Sequence, residues 1–144
     1  MSVEEAVDEK ASFQEGIREW QGVEDETIAS CEEIIHATDN ELVKTIAGIV
    51  MADSARHKQV LNLIDDTLTG TVTLTPDELA GLSELLHKHL QIERDSIRLA
   101  QKQYDHSRNF VVRHLLTYLM EDEKKHAKLF QQLNDFKRKI YPYA

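Results

Sequence analysis

Residues 120–126 read MEDEKKH, and residues 51–57 read MADSARH. The two phrases lie sixty-nine positions apart and share Met, Asp and His at matching places; Glu123 in one stands where Ser54 stands in the other. How they are read decides the fold. On a strand, alternate residues face opposite sides, whereas on a helix positions three and four apart share a face. Around the later phrase the apolar residues run Val112, Leu116 and Leu119, then positions 123 and 126, then Phe130 and Leu133. Around the earlier one they run Val43, Ala47 and Val50, then positions 54 and 57, then Leu61 and Ile64. Alternating steps of three and four predict helices whose apolar stripes are interrupted by polar groups.

The same rhythm extends to two more segments. One carries Phe13, Ile17, Trp20, position 24, Ile28, Cys31 and Ile35; the other carries Leu82, Leu86, positions 89 and 93, Ile97, Ala100 and Tyr104. The first helix is expected over about 3–37, loosened at Gly16 and Gly22, and ends at Thr38-Asp39-Asn40, a turn and N-cap cluster. The second is expected over about 40–65. TLTGTVTLTP (67–76) is Thr-rich and β-branched and reads as an extended connection. Thr75-Pro76-Asp77-Glu78 then opens the third helix, with Thr at N-cap, Pro at the first position and Glu three residues after the cap. That helix is expected to reach about His106, Ser107-Arg108-Asn109 to turn, and the fourth to run from Phe110 to about Ile140, stopping before Pro142. Four such stripes predict an all-α four-helix bundle. Sliding the chain on itself by sixty-nine aligns 23–64 with 92–133 without a gap, so the bundle is read as two similar helical hairpins.

Composition agrees. A chain of 144 residues with 41% hydrophobic and 30% charged residues suits a single globular domain over 1–144. Five Gly and two Pro are few breakers, as long helices require. The formal net charge of −9 argues against nucleic acid or an anionic membrane as partner and suits a protein that attracts cations. One cysteine, Cys31, excludes an internal disulfide and a CxxC metal module, and it reads as a small buried hydrophobe. MSVEEAVDEK has no apolar h-region, and no apolar stretch approaches a bilayer span, so a cytoplasmic location is expected.

The polar interruptions carry the chemistry. Glu24, Ser54, His57, His89, Glu93, Glu123 and His126 stand on the stripes where leucine would ordinarily be. Burying an unpaired carboxylate costs several kcal/mol or forces it to take up a proton. No Lys or Arg lies on the stripes to neutralise these groups, which leaves a bound cation as the simplest candidate. Depth provides a separate check. Glu24 lies fifteen residues before the turn at 39, with positions 54 and 57 fifteen and eighteen after it; Glu93, Glu123 and His126 stand in the same relation to the turn at 108. At about 1.5 Å per residue, each set lies roughly 22 Å from its turn. Carboxylate oxygens and imidazole nitrogens at this spacing suit iron or manganese, with zinc an alternative.

One Glu per helix followed by E-x-x-H, written twice on four helices, resembles the ferritin-like superfamily, near the ferritins and rubrerythrins, over about residues 10–140. The resemblance implies that the positions matching Glu24, His57, Glu93, Glu123 and His126 hold a di-iron or related dimetal centre, and that it oxidises Fe(II) with O2 or peroxide. His57 and Glu24 would hold one metal, His126 and Glu93 the other, with Glu123 bridging. The family position matching Ser54 is normally a second bridging glutamate. Its replacement lowers the negative charge by one, so either one or two ions per chain are expected. His89, one turn before Glu93, is read first as packing or as standing behind the ligands, with direct ligation in partial replacement of Ser54 as the alternative. Glu33-Ile34-Ile35-His36 lies off the stripe near a turn and is read as a decoy. Two other classes compete with the oxidoreductase: a metal-binding or storage module without turnover, and a metal-free structural or adaptor bundle. A homo-oligomer is left open.

Overall fold

Ser2 fixes where the first helix begins. Its hydroxyl accepts from the Glu5 backbone N–H at 3.1 Å while the Glu5 carboxylate accepts from the Ser2 N–H at 2.6 Å, a reciprocal capping box. Helix α1 follows over Val3–His36. Asn40 caps α2 (Glu41–Leu68) by accepting from the Leu42 and Val43 N–H groups. Thr75 and Glu78 form a second capping box, with Pro76 opening α3 (Pro76–His106). Asn109 accepts from the Val112 N–H at 3.1 Å where α4 (Phe110–Ile140) begins. In this computed structural model the described residues are 1–70 and 74–140, with side chains in α4 described through 136.

The chain is all-α as expected, four long helices in two packed pairs, α1 with α2 and α3 with α4, with no strand among the described residues. The pairs belong to two compact units, Met1–Thr73 and Leu74–Ala144. No described helix is long and apolar enough to cross a membrane. Several boundaries differ from expectation. Helix α1 runs unbroken through Gly16 and Gly22, since other residues of a long helix carry an isolated glycine at a cost of only about 1 kcal/mol. Helix α2 extends past Asp65 to Leu68, taking in the start of the stretch read as an extended connection. The Thr67 hydroxyl donates to the Leu63 carbonyl, a bond a helical turn accommodates. Gly70 then breaks the helix at φ 81°, where a side chain would be strained. Residues 71–73 of that connection and Pro142 lie outside the described residues.

Each hairpin closes with the same device. The Asn40 N–H donates to the Thr38 hydroxyl and the Asn109 N–H to the Ser107 hydroxyl, while both Asn side chains cap the helix that follows. The second turn has an additional clamp. Arg113 lies with its guanidinium 3.8 Å from the Tyr104 ring centre and donates to the carbonyls of Tyr104 and Ser107 at the end of α3.

The buried seam is narrower than the predicted stripes. In α1 the buried residues are Ile17, Glu24 and Cys31, in α2 Ala47, Ser54 and Leu61, and α3 buries Leu79, Leu86 and Glu93 together with Leu90. Spacing of seven puts one residue per two turns straight into the seam, as in coiled-coil pairs. Phe13, Trp20, Val43, Val50, Leu82, Val112 and Leu119, expected in the core from their place on the stripes, are exposed, because a seam between two helices covers less than the full width of an apolar stripe. Leu61, 3% exposed, and Leu63, 51% exposed, give a direct comparison. Truncating Leu61 to Ala is expected to cost roughly 2–5 kcal/mol. Truncating Leu63 to Ala should change stability by no more than about 0.5 kcal/mol. Urea denaturation of the two variants measures the difference, and equal costs would contradict the seam.

Candidate metal centre

The middle of each seam is polar. In the first hairpin Glu24 is buried, and its Oε1 accepts from the Trp20 indole N–H at 3.1 Å and lies 3.2 Å from His57 Nδ1. The Ser54 hydroxyl is the largest influence holding the Glu24 carboxyl below its ordinary value, against burial, and His57 and Trp20 add to it. The carboxylate is thus surrounded by groups able to donate to it. His57 itself is open, with 58% of its side chain exposed.

The second hairpin brings together Glu93, Glu123, His126 and His89. Glu93 Oε1 lies 2.8 Å from His89 Nε2 and 3.7 Å from His126 Nδ1. Glu123, half-buried on α4, stands against Glu93 where Ser54 stands against Glu24. Contact with the Glu93 carboxylate, together with burial, pushes the Glu123 carboxyl above its ordinary value. Glu93 moves the other way, held down first by Glu123 and then by His89 and His126. The two carboxylates oppose one another's ionisation, the shift falling on Glu123. Glu93 Oε2 remains buried, the single described side-chain polar atom that is buried with no hydrogen-bond partner.

The ligand atoms of Glu93, Glu123 and His126 all lie within 4.8 Å of one another. Two carboxylates and an imidazole converging on one point form a donor set for a divalent cation, and the orphaned oxygen marks the place where positive charge is wanted. Asp122 supports the set from behind. Its Oδ2 lies 3.9 Å from His126 Nε2, leaving Nδ1 toward Glu93. Asp122 is held ionised chiefly by Lys125 at 2.9 Å, with Tyr118 donating to it at 3.4 Å. A carboxylate near the far nitrogen of a histidine is common behind metal ligands. The His89 ring packs on Phe130 with centroids 4.3 Å apart.

Of the predicted site residues, Glu24, Ser54 and His57 thus meet in the first hairpin, and Glu93, Glu123, His126 and His89 in the second. Glu33 and His36 make no such pair; His36 instead bonds the Glu32 carbonyl at the surface. Cys31 is buried, as expected of a small hydrophobe. Two contributors were not read as functional from the sequence, Asp122 and Trp20. Asp122 stood inside the repeated phrase, one turn before His126, and its spacing was the available signal. Trp20 looked like an ordinary apolar stripe residue. Shifted by the same sixty-nine positions it falls on His89, just outside the stretch used to define the repeat.

No protein-family model matches the chain, and comparison with curated proteins and with solved structures gave no match.

A carboxyl whose folded pKa lies below the ordinary 4.5 adds stability above that value and loses it as pH falls through the folded pKa. Ser54→Ala removes the largest influence on Glu24. The variant is expected to melt below the parent at pH 7, with the gap narrowing as pH drops below 4.5. Thermal melts across that range check it; a gap independent of pH would place the Ser54 contribution in packing alone.

Proposed function

We propose that the chain is a metal-binding protein of the ferritin-like kind that takes a divalent cation, iron first and manganese or zinc as alternatives, at Glu93, Glu123 and His126. The observation that carries this reading is the convergence of three ligand atoms within 4.8 Å beside a buried carboxylate oxygen that has no partner. Neither carboxylate can satisfy the other without a proton between them, and a cation substitutes for that proton while using the imidazole as well. The spacing of one Glu per helix followed by E-x-x-H supports iron, because hard carboxylate oxygens combined with imidazole nitrogens suit it.

Iron at such a site supplies one-electron chemistry toward O2 or peroxide, which makes Fe(II) oxidation the activity to look for. The residues divide the work without it. Glu93 and Glu123 provide the negative charge, His126 provides a nitrogen, and Asp122 adds a further negative charge 3.9 Å from the other His126 nitrogen.

Anaerobic titration with Fe(II), followed by elemental analysis after gel filtration, tests the reading. The wild type is expected to retain iron. Glu93→Gln, nearly the same shape but without the charge, should retain roughly 10–100-fold less at limiting metal. Oxygen uptake by the iron-loaded protein above that of free Fe(II) supports an oxidoreductase, and retention without uptake supports a storage or carrier module. No retention of iron, manganese or zinc would overturn the reading in favour of a structural bundle.

A further inference from the structure

Resting on the metal-binding reading just given, we infer that the two hairpins are unequal: the second holds a single cation by itself, with His89 as its fourth ligand, and the first is a metal-free hydrogen-bond clasp around Glu24. The inference comes from superimposing the repeat on the two sites. Offset by sixty-nine, Glu24 matches Glu93, His57 matches His126, Ser54 matches Glu123 and Trp20 matches His89. The carboxylate and the histidine at the end of the motif are the same in both. The other two positions differ, and both differences change the same property.

Trp20 and His89 make equivalent contacts. Each lies four residues before the buried glutamate on its own helix, and each places a ring nitrogen on that glutamate's Oε1, at 3.1 Å and 2.8 Å. An indole nitrogen can only donate a hydrogen bond, whereas an imidazole nitrogen can donate or bind a metal. Ser54 and Glu123 repeat the contrast: a hydroxyl can donate to the carboxylate it faces, and an ionised carboxylate cannot. Glu24 is therefore satisfied by hydrogen atoms. No buried side-chain atom of the first hairpin lacks a partner among the described residues, while Glu93 Oε2 does. A cation entering beside Glu24 would have to displace donors and would find one imidazole and one carboxylate. Beside Glu93 it finds the converging atoms of Glu93, Glu123 and His126, and the His89 nitrogen 2.8 Å from Glu93 would complete two carboxylates and two imidazoles, a donor set for zinc-like and other borderline divalent ions.

Cobalt(II), a spectroscopic substitute for such ions, supplies the test on the full chain, together with Trp20, which is the only tryptophan and sits in the first hairpin. Wild type is expected to bind one Co(II) per chain, and Glu24→Gln to bind the same number with unchanged visible bands. His89→Gln should weaken binding by at least roughly 10–100-fold. In His89→Cys a thiolate-to-cobalt charge-transfer band should appear in the near-ultraviolet, a signal that a merely structural residue would not produce. The double change Trp20→His with Ser54→Glu gives the first hairpin the ligands of the second, and its stoichiometry should rise to two. Circular dichroism confirms that each variant is folded before it is counted.

Two Co(II) per wild-type chain, loss of the ion in Glu24→Gln, or no charge-transfer band in folded, cobalt-loaded His89→Cys would overturn this inference and leave the metal-binding reading standing. Failure of the wild type to bind any of Fe(II), Co(II) or Zn(II) would overturn both.

Discussion

Two carboxylates face one another on the second hairpin, one buried and one half-buried, and keeping both charges there is costly without something positive between them. Glu93 is buried in the seam and Glu123 borders it from the neighbouring helix. Around the pair the protein places two histidines close to Glu93, pushes the Glu123 carboxyl upward and leaves one oxygen with no partner. As a purely structural solution this is poor. An apolar residue at either position would remove the cost, and replacing buried ionic groups by well-packed apolar ones is often neutral or stabilising. The arrangement has a physical rationale when a cation is its working partner.

The rest of the fold serves to hold these groups at one level. Each hairpin is built on two long helices, closed by an Asn cap preceded by a hydroxyl two residues earlier, and packed along a seam that repeats every seven residues. On such a seam the position fifteen residues before a turn and the position fifteen after it meet by construction, so the two glutamates and their opposite numbers need no loop to place them. Rigid helices are better supports for ligands than loops, because their register fixes the side chains to within a fraction of a turn. The same backbone carries two different chemistries: donors around Glu24, acceptors and imidazoles around Glu93.

Much of this was legible in the sequence. The three-and-four spacing of Val112, Leu116 and Leu119 gave the helices, Thr75-Pro76 and Asn40 gave their starts, and the match of MADSARH to MEDEKKH gave the pairing of Glu24 with position 54 and of Glu93 with Glu123. These features are local or periodic, which is the kind of information a single sequence holds. What was not legible depended on packing geometry. Helix stripes cannot show how wide a seam will be, so Phe13, Trp20 and Leu82 were placed in the core and are exposed. The end of α2 was misjudged because Thr and Leu at 67 and 68 are compatible with either state and hydrogen bonding decided it. Trp20 was taken for an apolar residue because its single polar atom matters only once its neighbour is known to be Glu24.

The most direct measurement is an anomalous-scattering map from crystals of the full chain equilibrated with Zn(II). A peak within coordination distance of Glu93, Glu123 and His126, with His89 turned toward it and none beside Glu24, is the predicted result. A map with no peak in the second hairpin, at a metal concentration sufficient to fill a specific site, would contradict the account.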